Sequence, residues 1–342
     1  MAQPSTSTFQ APKRCVGQEA ARGRFGPSID EIAALFRMGD PGDERSDAPA
    51  WLDPDRADRG GAVLRRHGLL AAAVLRCYAL PLSYRSPVGV RPLVHTGTLV
   101  RDAAARLYRT AQMVVEAQQP GALHPGGPAW RTAAHVRAMH ERVRQSLWAS
   151  GWDPDDGAPI PQPDQAATAL LFGPLTVEGL RRLGCRISAD EADDVAHLVR
   201  AMAYGQGVVA ELQVDTHGEA LDLFARITSL DGPATADGVA LMDALLDIPV
   251  TLARRRRDRL AAPLLRRLYQ DLAVATLGPD DARALGVQTQ GTLARPVRWL
   301  ASTQLLHDRR LAGLHDEMVA GVVARGFRRV NPGPGRSRAR QA

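Results

Sequence analysis

Three side chains stand out for the chemistry they could do: Arg106 and Thr110 in "RLYRT", and His140 in "HVRAMHERVR" thirty residues later. Arg106 and Thr110 lie about one helical turn apart, in a stretch otherwise rich in Ala, Leu, Val and Met. A guanidinium keeps its charge at any physiological pH, so on a half-buried face it has to meet an anion or several acceptors. Either a protein carboxylate or the anionic group of a ligand therefore faces Arg106. A neutral imidazole on an apolar wall can bind a metal or move a proton. Each residue alone also has a purely structural reading: a hydrogen-bonded core histidine, an arginine paired within the fold, a helical threonine bonded back to its own turn.

The elements that hold these groups read as helices. Steps of three or four residues from Ala133 give Val136, His140, Val143 and Leu147, which makes His140 the polar member of an apolar stripe. On the preceding helix Ala103, Arg106, Thr110 and Met113 or Val114 share one side, whereas His135 shares a wetter face with Arg131, Met139 and Arg142. The pattern predicts helices near 28–38, 62–78, 98–118, 128–149, 164–183, 188–206, 216–229, 235–256, 258–277 and 295–325. Ser28 with Glu31, and Ser188 with Glu191, have capping-box spacing; Pro128 suits a first turn and Gly184 a helix stop. Strand and hairpin signals are scarce and no repeat stands out. The expectation is an all-α chain with one helical domain over 28–330, a mobile N-terminal segment 1–27 and a disordered basic tail 331–342.

At 342 residues, 45% hydrophobic and 23% charged, the chain can bury a core large enough to enclose a cofactor. Its net charge of +6 rests almost wholly on arginines spread over most of the helices, with Lys13 the one lysine, and aromatics make up only 5%. That distribution argues for a solvated basic surface and against a nucleic-acid site. Cys15, Cys77 and Cys185 are far apart and form no CxxC pair, so they read as buried free thiols. The start "MAQPSTSTFQAPKRCVGQEA" lacks the apolar run of a secretory signal, and "LLAAAVL" at 69–75 falls well short of the roughly 20 residues of a membrane span. A cytoplasmic protein without a membrane span is expected; no motif reports its substrate or oligomeric state.

Taken together, "RLYRT", the step from Thr110 to His140 in "VRAMHERVR", "GWDPDDGAPIPQPDQAATALLFGPLTVEGLRRLG", "HLVRAMAYGQGVVAEL" and an early "FRMGDP" at 36–41 resemble the MpaB and latex-clearing-protein family of b-type haem oxygenases, over roughly residues 30 to 230. The resemblance implies an all-α, globin-like core around haem b, with extra surrounding helices. It also implies His140 as the proximal iron ligand and Arg106 and Thr110 beside the haem, pairing a propionate or donating to bound oxygen. The implied reaction is the insertion of O2 into an organic compound, such as oxidative cleavage of an alkene. Rubber-cleaving members carry a lysine where Arg109 stands, and arginine has no lone pair to offer iron. They are also understood to use a glutamate upstream of this helix, yet no glutamate occurs between Glu44 and Glu116. The expected substrate is therefore a smaller apolar compound, such as a terpenoid or natural-product intermediate.

Glu211 follows Tyr204 and Gly207 and could line the same cavity or cap a helix end; His197 could be a second pocket residue or a satisfied core histidine. "LARRRRDR" at 252–259 reads as a solvated helix terminus where cations favour the dipole. His307 and His315 lie too far apart for ligation within one turn. No Gly-rich phosphate loop, HExxH or nucleophile elbow occurs. One rival reading is a non-haem metal site using His135 or His140 with Glu141, although residues five apart on a helix point about 140° away from each other. The other is a non-catalytic helical binding or regulatory module with structural histidines.

Overall fold

The computed structural model describes residues 26–303, apart from 44, 46, 47, 96–102 and 254, together with residue 321. Among the described residues the regular structure is helical and contains no strand. The expected N-terminal segment up to residue 25, the tail 331–342, Cys15, His307 and His315 all lie outside the described residues, as does most of the expected helix beyond 303.

Helix α1 (Ile29–Leu35) opens with the expected capping box: the Ser28 hydroxyl accepts from the Glu31 N–H at 3.2 Å, and the Glu31 carboxylate accepts from the Ser28 N–H at 2.6 Å. The helix expected at 62–78 is instead several pieces. Asp53 caps α2 (Pro54–Arg66), accepting from the Arg56 N–H at 3.0 Å, so the helix begins well before its first apolar stripe. Then come α3 (Gly68–Val74), a π-helical turn (Leu75–Ala79), α4 (Leu80–Ser83) and α5 (Pro87–Val94). Next are α6 (Ala103–Ala117) and α7 (Pro128–Ala149), the latter with the expected boundaries.

The helix expected at 164–183 divides into α8 (Gln162–Leu171) and α9 (Pro174–Leu183), because Pro174 has no N–H to continue the ladder. A Cβ on the intervening Gly173 would lie 2.3 Å from a Val199 methyl, so only glycine allows this close approach to the next helix. That helix is α10 (Ala189–Gly205), followed by α11 (His217–Thr228). The 235–256 helix likewise breaks, into α12 (Ala236–Leu246) and α13 (Ile248–Leu252), ahead of α14 (Arg256–Leu277), α15 (Pro279–Ala284) and α16 (Ala294–Ser302). The arginine run thus spans the junction between α13, whose C-terminal end favours cations, and the N-terminal end of α14, where the dipole disfavours them.

Buried side chains from α1 to α16 join in one apolar cluster. Helix α10 is its axis: α2 lies along it, and α7, α8, α9 and α11 pack around it. Gly60 makes the α2 approach possible, since a Cβ there would fall 2.3 Å from the Asp194 carbonyl oxygen. Fully buried Leu171, Leu175, Leu180 and Leu183 fix α8 and α9 in the cluster, each contributing about 1.5–3 kcal/mol. Cys77 and Cys185 are buried free thiols, and burial pushes both up to about 12. No helix among the described residues is long and apolar enough to cross a membrane. Helix α6 is the exception to this close packing: it lies against α7 and α12, and only Ala104 and Ala117 on it are buried.

Candidate functional site

The loose packing of α6 produces the site. Ala103, Arg106, Leu107 and Thr110 recur at helical spacing and line one narrow cleft, faced by Leu80 of α4, by Tyr84 just after it, and by Leu241 and Leu245 from α12. The same stripe continues through Met113, Val114 and Ala117 into a second narrow cleft, faced by Ala169 of α8, by Phe172 just after it, and by Leu198 and Met202 of α10. The sequence reading of one polar-marked stripe on α6 is therefore also the spatial arrangement, with Arg106 and Thr110 in one cleft. The Arg106 guanidinium lies 6.0 Å from the centre of the Tyr84 ring, and its buried Nη1 has no hydrogen-bond partner. No carboxylate among the described residues pairs with this group; Asp102, four residues before it, lies outside them. Arg109 is exposed and does not line the cleft.

Helix α7 packs against α6 and carries His140. Its inward stripe is closed at both ends by buried Ala133 and Leu147, while Val136, His140 and Val143 between them are only half-buried. His140 Nδ1 itself is buried and without a partner. Burial first, then the Arg144 charge, push the imidazole down to about 4, against opposing contributions from Gln165 and Asp40. At neutral pH the ring is uncharged and keeps a free lone pair, the form that a metal accepts. His140 lines neither of the two clefts, so the structure unites Arg106 with Thr110 but leaves His140 on the neighbouring wall.

That wall is heavily braced. Arg137, one turn before His140, donates from Nε to Asp40 at 2.7 Å and from Nη2 to Asp43 at 2.9 Å, tying α7 to the "GDP" element. Burial works to raise the Asp40 carboxyl, but hydrogen bonds from Arg137 and the Gly42 N–H, with the charges of Arg137 and Arg144, hold it below its ordinary range. Arg144 Nη2 at 3.2 Å and Gln165 Nε2 at 3.3 Å converge on the Ile160 carbonyl. Ile160 has φ of 52°, a left-handed conformation that a β-branched residue adopts at a cost of about 1–3 kcal/mol. Gln162 ties the same region together, donating to the Gly39 and Gly207 carbonyls at 2.6 and 3.1 Å and accepting from the Val209 N–H at 2.9 Å.

The remaining candidates separate cleanly. His135 is exposed with Arg131, Met139 and Arg142, as its face predicted. His197 is a satisfied core histidine: Nε2 accepts from the Asp53 N–H at 3.0 Å and Nδ1 faces Asp215 at 2.7 Å. Glu211 is exposed on a single 3-10 turn (Ala210–Leu212), because α10 ends at Gly205 and the regular turns assumed between Tyr204 and Glu211 do not exist. Sequence reasoning missed Gln165, His217 and Arg76. His217 is buried with both ring nitrogens unpartnered, and burial pushes it to about 4. It begins α11, which packs mainly against α8 and α10 and not against α6. No group of three or more His, Cys, Asp or Glu placed to hold a metal occurs among the described residues. A single neutral imidazole suits a metal that brings its other ligands with it, as a macrocycle does.

A family model described as "ER-bound oxygenase mpaB/B'/Rubber oxygenase, catalytic domain" matches residues 62–306. Among solved structures, one described as latex clearing protein in the closed state has a TM-score of 0.65 and 20% identity, covering 86% of this chain and 85% of that one, a likeness of fold. No curated protein matches. Since the family model takes in α6, α7 and most of the helices around them, the chain belongs to the mpaB and rubber-oxygenase catalytic-domain family, a family of oxygenases.

Proposed function

We propose that the chain is a haem b-dependent oxygenase acting with O2 on a small apolar organic compound, with His140 as the residue that would hold the iron and Arg106 and Thr110 as the polar part of the pocket. The observation that carries this reading is His140 itself: a neutral imidazole with a buried, unpartnered nitrogen, set in the half-buried middle of a stripe on the helix beside α6. His197 by contrast has both ring nitrogens engaged, and His217, whose nitrogens are unpartnered, sits on α11 away from the α6 wall.

The residues present fit such a group. His140 offers a lone pair that remains unprotonated well below neutral pH, and Gln165 restrains the ring from α8. The Arg106 guanidinium can take an anionic edge, and Thr110, one turn on, offers a hydroxyl on the same side. Leu107, Met113, Val114 and Phe172 make the adjoining surface apolar, which favours a hydrocarbon and excludes water. A bound haem supplies the electron chemistry of oxygen activation, while the protein supplies ligation, orientation and a dry wall. The apolar lining supports a terpenoid-like alkene as the substrate class, with oxidative cleavage of the double bond as the reaction.

The test is the visible spectrum and pyridine haemochrome content of protein expressed with a haem supply. Wild type is expected to hold about one b-type haem per chain, His140→Ala to lose nearly all of it, and His135→Ala to keep it. Equal loss in both variants, or in neither, removes His140 as the ligand. A colourless wild type that takes up no added haemin returns the chain to the helical-module reading.

A further inference from the structure

A second guanidinium, one with no role in the reading above, lies behind the Arg106 cleft. Arg76 sits in the π-helical turn (Leu75–Ala79), where the Leu80 N–H bonds the Leu75 carbonyl five residues back. The cause is local: Pro81 has no N–H to give the Cys77 carbonyl, which receives the Thr276 hydroxyl at 3.5 Å instead. Such turns are rare and concentrate at functional sites. Here the turn carries an arginine that is 8% exposed. Its guanidinium stacks 4.3 Å from the centre of the Tyr269 ring and donates from Nη2 to the carbonyl of Leu245, a cleft residue. Nε is buried without a partner.

Arg106 thus lines the cleft and Arg76 lies behind it, bonded to the carbonyl of the lining residue Leu245; each has a buried N–H with no acceptor among the described residues. Arg76, Leu80 and Tyr84 follow one another at four-residue spacing, and Leu80 and Tyr84 line the cleft. Arg76 and Arg106 are also the two charges that act on the buried Tyr84 hydroxyl. Elsewhere in the molecule arginines meet carboxylates, as Arg85 meets Asp281 and Arg137 meets Asp40. No carboxylate among the described residues pairs with Arg76 or Arg106. A buried guanidinium without a counter-charge is unfavourable, and an anion held between Arg76 and the half-buried Arg106 offsets that cost.

We propose that Arg76 and Arg106 form a paired guanidinium site for a carboxylate carried by an apolar molecule. The carboxylate enters beside Tyr84, and the apolar remainder lies along the α6 stripe toward Met113 and Phe172. Two sources share this chemistry: a propionate of the haem proposed above, which rests on that reading, and the head of an alkanoic-acid-like substrate, which does not.

Titration calorimetry on the full chain, haem-free and haem-loaded, separates them. The probes are dodecanoate against dodecanol, and haemin against haemin dimethyl ester. A substrate site predicts that dodecanoate binds the haem-loaded chain about tenfold more tightly than dodecanol, and that Arg76→Met erases the preference while Arg76→Lys keeps part of it. A propionate site predicts that haemin is preferred to its dimethyl ester by a similar factor, that Arg76→Met erases this preference, and that dodecanoate binds only the haem-free chain. If the chain takes up no haem at all, a preference for dodecanoate on the haem-free protein still supports the carboxylate site. Absence of any acid preference in wild type, which needs no variant, overturns the proposal. So does a preference unchanged in both Arg76→Met and Arg106→Met with circular dichroism matching wild type.

Discussion

His197 and His140 are both core-facing histidines on long helices packed against each other, α10 and α7, yet their surroundings are opposite. Around His197 each valence is used. Because Nε2 accepts from the Asp53 N–H, the proton sits on Nδ1 and is donated to Asp215, which also takes Arg56 at 2.6 Å and Arg200 at 3.3 Å. Burial works to raise the Asp215 carboxyl, but the His197 and Arg56 hydrogen bonds and charges hold it below its ordinary range. Around His140 the ring has Gln165 as its one side-chain neighbour in hydrogen-bond reach: Arg137, Arg144 and Gln162 are tied to the backbone or to carboxylates, and Nδ1 has no partner. The first arrangement stabilises the fold. The second holds one side chain in place and leaves its chemistry available.

That contrast is sharpest when both rings are removed. His197→Ala strips Asp215 of a donor and leaves the Asp53 N–H without its acceptor, so the haem-free protein is expected to lose about 3 kcal/mol in urea unfolding, with haem per folded chain unchanged. His140→Leu is expected to change the same unfolding free energy by less than about 1 kcal/mol while haem binding disappears, because an unsatisfied ring gives way to an apolar side chain of similar size. If His140→Leu destabilises as much as His197→Ala, the two histidines are equivalent and the contrast fails.

Bracing can be weakened without touching either ring. Asp40→Asn leaves Arg137 with Asp43 alone as its charged partner, and the expected loss is about 1–2 kcal/mol with a several-fold weaker hold on haem. Unchanged haem retention in a measurably destabilised Asp40→Asn protein would separate the bracing from the site.

How much of this contrast the sequence reveals depends on residue type. Helix α7 is legible because Pro128 starts it and an unbroken period of 3.6 runs to Ala149; the α6 stripe is legible for the same reason. The π-helical turn is not, because one extra residue shifts the register without changing the apolar count, so Arg76 reads as a solvated arginine on an ordinary helix. Helix α2 begins with "PDRADRGG", which offers a cap and a proline but no apolar repeat. Gln165 and Ile160 have no reactive group to draw notice, and His217, between Thr216 and Gly218, has no stripe to belong to. The break at Gly173 and Pro174 was spelled out in the sequence, but the apolar period on both sides overrode it.

The smallest effect tests burial itself, through pH. Burial pushes His140 and His217 down to about 4 from 6.5, so between those values the unfolded chain binds protons that the folded chain does not. Each therefore lowers stability as pH falls from about 6.5 to about 4, by up to about 1.4 kcal/mol per pH unit. Asp164 and Asp231 run the other way. Burial raises them to about 7 and about 6 from 3.8, so the folded chain keeps protons that the unfolded chain releases, and acidification over that window stabilises. The two pairs offset each other in wild type. His217→Leu removes one destabilising contribution, so the unfolding free energy at pH 5 relative to pH 7 should rise by about 2 kcal/mol; Asp164→Asn should lower it by a similar amount. Urea unfolding of the haem-free protein at the two pH values reads both shifts. A pH difference that neither substitution moves would mean that these rings and carboxylates meet water, and the case for a dry, neutral His140 would weaken with them.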